Sequence, residues 1–183
     1  MIAAIIIIAL LLILVSWFVK VQRDLVSKDE LCQNAMSQIG VQQNSRWDAL
    51  TALVELVKSY NEHEYKTLKD VIAMRKQITG TSTAAEANAQ EEAIAGAIRQ
   101  INVVAEQYPD LKANENYAKA MDSVNLYENQ VRLSRMTYND TVTKYNKVVR
   151  QFPESIVANI LHFSVKDYLQ EPQGKTDMPS MAI

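Results

Sequence analysis

Two Tyr-Asn pairs, Tyr138-Asn139 and Tyr145-Asn146, stand seven residues apart in the stretch RMTYNDTVTKYNKVVRQFP, which runs from Arg135 to Pro153. Phenol and carboxamide groups at that spacing fall on one face of a helix, where they either line a binding site or take part in packing. Glu128 and Arg135 lie on the same side of this segment. Gln43 and Arg46 interrupt the apolar face of an earlier one. Two guanidinium groups, a carboxylate and a phenol gathered in one layer could hold a ligand or a partner, or support acid–base catalysis. A buried charge without a partner is costly, so these groups must pair or reach a rim. The pairing expected is Arg46 with Glu128, charged groups within about 6 Å. The reading that the spacing favours is a polar layer that fixes helix register, as polar core positions do in coiled coils. Gln43, Arg46, Glu128, Arg135, Tyr138, Asn139, Tyr145 and Asn146 are its expected members, with both Asn side chains suited to interhelical hydrogen bonds.

Other chemistry finds no support. His63-Glu64 opens no H-E-x-x-H zinc motif, because position 67 is Thr. His162 stands alone, and the single Cys32 neither forms an intrachain disulfide nor makes a metal site by itself, so a small buried hydrophobe is expected there. There is no Gly-rich phosphate loop and no nucleophile elbow. No enzyme, cofactor or metal is expected. A net charge of −2 over 183 residues provides no basic field for nucleic acid.

The elements that must position these residues are helices. Only four Gly and four Pro occur, which suits long helices over strands. From Val21 to about Ser59, Leu25, Cys32, Ile39, Leu53 and Tyr60 form one seam, and Met36, Leu50 and Val57 an adjoining one. Gly40 softens this helix without ending it. SYNEHE reads as a corner with Asn61 as N-cap, and a second helix follows to about Ile78. TGTSTAAEANAQ is a loop in which Thr83 or Ser82 caps a third helix, carrying Ile94, Ile98, Ile101, Val104 and Ala105 and ending at Tyr108-Pro109. The last long helix runs from about Ala113 to Gln151. Val124, Val131, Tyr138, Tyr145 and Phe152 form its main seam, Met121, Val142 and Val149 the adjacent one. ESIVANILHF is then a short apolar helix over the bundle's end. The expected fold is all-α, an antiparallel up-and-down four-helix bundle with long first and last helices, over residues 20–170. Residues 171–183 read as a disordered tail.

The bundle has an anchor. Residues 1–19, MIAAIIIIALLLILVSWFV, carry no charge and reach roughly 28 Å as a helix, close to a bilayer's hydrocarbon thickness. Trp17, Phe18, Lys20 and Arg23 fit the membrane interface. No cation precedes the run and SWFVK offers no small-x-small cleavage site, which favours an uncleaved anchor over a signal peptide. Lys20, Arg23 and Lys28 follow it, so the positive-inside rule places the bundle in the cytoplasm, with the periplasm as the alternative.

Three stretches together, SQIGVQQNSRWDALTALVELVKSYNEHE, AEQYPDLKANENY and YENQVRLSRMTYNDTVTKYNKVVRQFP, resemble the LemA family. The combination of Y-P-x-L-K-A-N with R-x-x-Y-N-x-x-V-x-x-Y-N and F-P carries the resemblance over nearly the whole chain. It implies a bacterial membrane protein, a single-pass helix in the cell membrane followed by a helical bundle, without an established enzymatic activity and sometimes linked with envelope proteolysis or stress. Thr51 departs from a family Pro. His162 stands where a Gly-Phe pair is usual, before Phe163. Three functions compete. One is a self-associating membrane scaffold. Another is an adaptor for a second membrane protein, such as an envelope protease. The third is a small-ligand binder or enzyme at the Arg46, Glu128, Arg135, Tyr138 cluster. The expected partners are the lipid bilayer, further copies of the chain or another membrane protein.

Overall fold

A computed structural model of the chain describes residues 1–170; the expected disordered tail lies outside the described residues. All regular structure among them is helical: α1 (Ile2–Lys58), α2 (Glu62–Ile72), α3 (Ala84–Gln107), α4 (Pro109–Lys112), α5 (Glu115–Arg150) and α6 (Glu154–Ile160). The apolar segment and the first bundle helix are one uninterrupted α1 of 57 residues, about 86 Å long. Nothing in its sequence breaks it, since the first Pro of the chain is Pro109. None of the apolar stretch before Trp17 is buried.

The helix starts are locally encoded. Asn61 accepts hydrogen bonds from the backbone N–H groups of His63 and Glu64 and caps α2. Thr83 and Glu86 form a reciprocal capping box on α3. Pro109 opens the short α4, and Asn114 caps α5. α2 stops at Ile72, shorter than the helix to Ile78 read from the sequence. The cause is tertiary. Gln90 of α3 accepts the Lys76 N–H (2.9 Å) and donates to the Met74 carbonyl (3.4 Å), which draws this backbone out of a helical path. Ile78 then lies on Gly40, where a Cβ would come within 2.0 Å of the Ile78 carbonyl oxygen. Gly40 is therefore a contact surface, open only because it has no side chain.

α5 packs antiparallel along α1, and α2, α3 and α6 also pack on α1. Gln43 meets Ala87 and Arg46 meets Glu91, so α3 runs parallel to α1. The buried apolar residues form two cores. The core near the apolar segment joins Val21, Leu25, Cys32, Met36 and Ile39 to Tyr138, Val142, Tyr145, Val157 and Leu169. The far core joins Trp47, Leu50, Leu53 and Val57 to Ile94, Ile101, Leu111, Tyr117 and Val124. Phe152, assigned to the α5 seam from spacing, is 77% exposed, because α5 ends at Arg150 and its backbone turns away. Tyr60, at the end of the first seam, is half-buried at the far tip of the bundle.

Candidate functional site

A polar layer lies between the two cores. Arg46 of α1 is buried and donates from Nη1 to Glu91 Oε1 (2.6 Å) and from Nη2 to Glu128 Oε2 (2.8 Å). One guanidinium thus joins α1, α3 and α5, using the paired donors that make Arg suited to carboxylates. Gln43 donates to the Ala87 carbonyl (3.1 Å) and to Glu91 Oε2 (3.4 Å). Trp47 Nε1 donates to Gln90 Oε1 (3.1 Å). Arg135 donates from Nη2 to Asn88 Oδ1 (2.8 Å) and to the Gln170 carbonyl. Burial holds the Arg135 guanidinium below its usual pKa, opposed by the nearby Glu91 charge. Two cations, Arg46 and Arg135, thereby share the layer with the carboxylates Glu91 and Glu128. Gln43 Oε1, Arg46 Nε and Arg135 Nη1 are buried without a partner among the described residues.

Asn88, Gln90 and Glu91 were not among the residues singled out from the sequence. A signal for them existed: Glu91 precedes Ile94 by three residues and Ile98 by seven, and so continues the α3 seam.

The Tyr-Asn pairs do something different from bridging helices. They hold the chain's own segment after α6. The Tyr145 hydroxyl donates to the Ser164 carbonyl (2.9 Å), and that of Tyr138 to the Asp167 carbonyl (3.3 Å). Asn146 donates to the Lys166 carbonyl and accepts the Lys166 N–H, both at 2.9 Å. Asn139 makes the same two bonds with Leu169, at 3.0 and 2.9 Å. The expectation of interhelical bonds from Asn139 and Asn146 is corrected accordingly: each carboxamide pairs with both main-chain groups of one residue in a strap that contributes no helix of its own. The register is set by geometry. Seven residues of helix rise about 10.5 Å, and three residues of extended chain span about 10 Å, so a heptad on α5 matches a three-residue step on the antiparallel strap. The strap is closed by Leu169 in the core near the apolar segment and by Lys166, which pairs with Asp29 of α1 (2.8 Å). Burial pushes both phenols up to about 12, aided by Cys32 and Asp167 at Tyr138 and by Asp29 and Cys32 at Tyr145.

The strap begins at a Schellman turn. His162 has φ 59°, its N–H bonds to the Asn159 carbonyl (3.2 Å), and the Phe163 N–H reaches the Ala158 carbonyl (2.9 Å). That is the pattern in which Gly usually takes the left-handed residue.

A cleft of about 260 Å³ opens beside the strap, lined by Cys32, Gln33, Met36, Gly80, Thr81, Ser82, Tyr138 and Lys166. Its chemistry is muted. Burial pushes the Cys32 thiol up, and Lys166 is already paired with Asp29. Among the described residues no cluster of three or more His, Cys, Asp or Glu side chains is arranged to hold a metal.

A family model of the LemA family matches residues 35–182. The chain belongs to the LemA family. It is also 27% identical over 151 residues to the Protein LemA of Metamycoplasma hominis, covering 79% of this chain and 68% of that protein. The motifs that carry the LemA resemblance map onto separate junctions. The first brings Gln43, Arg46 and Trp47 to the polar layer. The second supplies Tyr108 and Asn114, which meet Asn61 and Tyr60 at the far tip. The third builds the strap's ladder.

Proposed function

We propose that this LemA-family chain is a single-pass, membrane-anchored helical scaffold that self-associates at the bacterial inner membrane and does no catalysis. In this reading α1, α2, α3 and α5 act as an up-and-down four-helix bundle carried rigidly on its anchor. The continuity of α1 supports the anchor, and Lys20, Arg23 and Lys28 just after the apolar run support a cytoplasmic bundle. The observation that carries self-association is the outer face of α5. Leu126, Leu133 and Met136 point away from α1 and are 56%, 50% and 58% exposed. Apolar side chains aligned on one helix face are suited to a second copy of the same face. Anchoring confines the copies to one surface and raises their effective concentration. The pairing of Arg46 with two carboxylates commits its charge to joining α1, α3 and α5.

The test is oxidative crosslinking of Leu133→Cys in isolated membranes, with Cys32 left in its buried place. A covalent dimer supports the scaffold. A thiol that reacts freely with maleimide and forms no dimer rejects self-association through α5. An adaptor reading draws on the strap, whose ladder makes its hydrogen bonds to main-chain atoms at Ser164, Lys166, Asp167 and Leu169 and would accept another extended segment. In-cell crosslinking from Tyr168→Cys to a different membrane protein would favour it, and adducts confined to the chain's own copies would count against it.

A further inference from the structure

α6 brings an apolar face to the place where α1 leaves its apolar stretch. Val157 and Ala158 of α6 are buried in the core near the anchor, and Leu161 packs on the same core. Trp17 and Phe18 of α1 pack there too, although they lie inside the uncharged run. The bundle therefore reaches down α1 to the level of Trp17. From Trp17 to Lys20, the first charge, is about 4.5 Å along the helix, less than one turn. On the other side of α6, Ile156 and Ile160 share one face at a four-residue spacing and are 48% and 59% exposed, with Phe152 just ahead at 77%. The elements that meet at this end carry exposed cations, Lys20 and Arg23 on α1 and Lys147 and Arg150 in the last turn of α5, while Glu154 opens α6 itself. Asp24 in the same region is paired with Lys28.

We propose that α6 is a lipid-docking edge, and that Phe152, Ile156 and Ile160 enter the headgroup–acyl boundary of the leaflet from which α1 emerges. The proposal rests on the anchor reading of α1. The occupant follows from position. A surface continuous with a membrane-spanning helix, at the depth of its aromatic residues, meets lipid before it meets protein. Apolar side chains of an interfacial helix lie about 5–10 Å into that boundary, and lysines and arginines around them face acidic headgroups. Docking α6 would fix the tilt of the molecule on the membrane, because a single spanning helix leaves anchor and bundle free to tilt together as one unit.

The test uses the full chain reconstituted in phosphatidylcholine–phosphatidylglycerol vesicles, with an environment-sensitive fluorophore on one added cysteine. Ile156→Cys and Ile160→Cys report the edge, Val15→Cys the anchor and Glu62→Cys the far tip. The chain without an added cysteine gives the background from buried Cys32. The proposal expects labels at positions 156 and 160 to lose most of their fluorescence to lipids carrying a nitroxide near the headgroup and to be shielded from aqueous iodide, with the opposite behaviour at position 62. Labels at 156 and 160 that iodide reaches as readily as it reaches position 62 would overturn it. Shielding from iodide without quenching by lipid would overturn it in favour of a protein occupant. A label at position 15 unquenched by any lipid nitroxide would overturn the anchor itself, an outcome distinct from failure at α6 alone.

Discussion

Arg46 is one buried cation shared by two carboxylates on different helices, so removing it leaves Glu91 and Glu128 facing each other in the layer. Arg46→Leu is expected to cost about 3–5 kcal/mol, the range for breaking a buried pair. Adding Glu91→Gln and Glu128→Gln to Arg46→Leu should recover part of that loss, and comparison of thermal midpoints across the variants measures the coupling. Equal midpoints for the single and triple variants would show that charge pairing is not what Arg46 provides. His162 offers the opposite sign. It holds a left-handed conformation that costs a side-chain-bearing residue about 1 kcal/mol or more, and His162→Gly should raise stability by roughly that amount. The strap tyrosines predict an alkaline transition. Their folded pKa values, about 12, exceed the usual value of 10, so the folded state holds its protons longer than the unfolded one. Their contribution is complete below pH 10 and is lost as pH rises toward 12, on the order of 2 kcal/mol for each phenol. Phenolate absorbance and strap release should move together in that window. In a Tyr138→Phe, Tyr145→Phe variant the pH dependence should shrink.

At the scale of elements, the Asn residues make the sharpest prediction. Asn139→Ala and Asn146→Ala each remove two main-chain bonds from the strap, at Leu169 and Lys166. Each is expected to lower the free energy of strap opening by about 1–3 kcal/mol, read as faster amide exchange at those two residues with α1 and α5 protection retained. Unchanged exchange at both would show that the ladder is dispensable. These elements also show how far the sequence could be read. The α1 and α5 seams and the Asn61 and Thr83 caps were legible because each depends on neighbours within one or two turns. The end of α2 was not, because Gln90 and Gly40, distant in sequence, decide the path of residues 73–78. The partner of the Tyr-Asn repeat was hidden for another reason. Residues 163–170 carry no periodicity, and the repeat reads their main chain, which every sequence shares. Glu91 could have been found by extending the α3 seam one turn toward its N-terminus.

At the scale of the whole molecule, two apolar cores are separated by a polar layer and carried on one helix that continues into the apolar segment. The polar layer joins α1 to α3 and α5, and the cores supply most of the burial. Among the apolar side chains that the fold leaves uncovered are the outer face of α5 and the edge of α6 near the apolar segment of α1. Self-association on the first and lipid contact on the second would orient many copies alike on one membrane, which is what a scaffold requires. The most direct test of that account is the native mass of the full-length protein extracted from membranes in mild detergent. A discrete particle with a protein mass several times the 20.7 kDa chain is the result expected, and Leu133→Glu should reduce it. A protein mass of one chain at high concentration would contradict the scaffold and turn attention to a partner of different sequence.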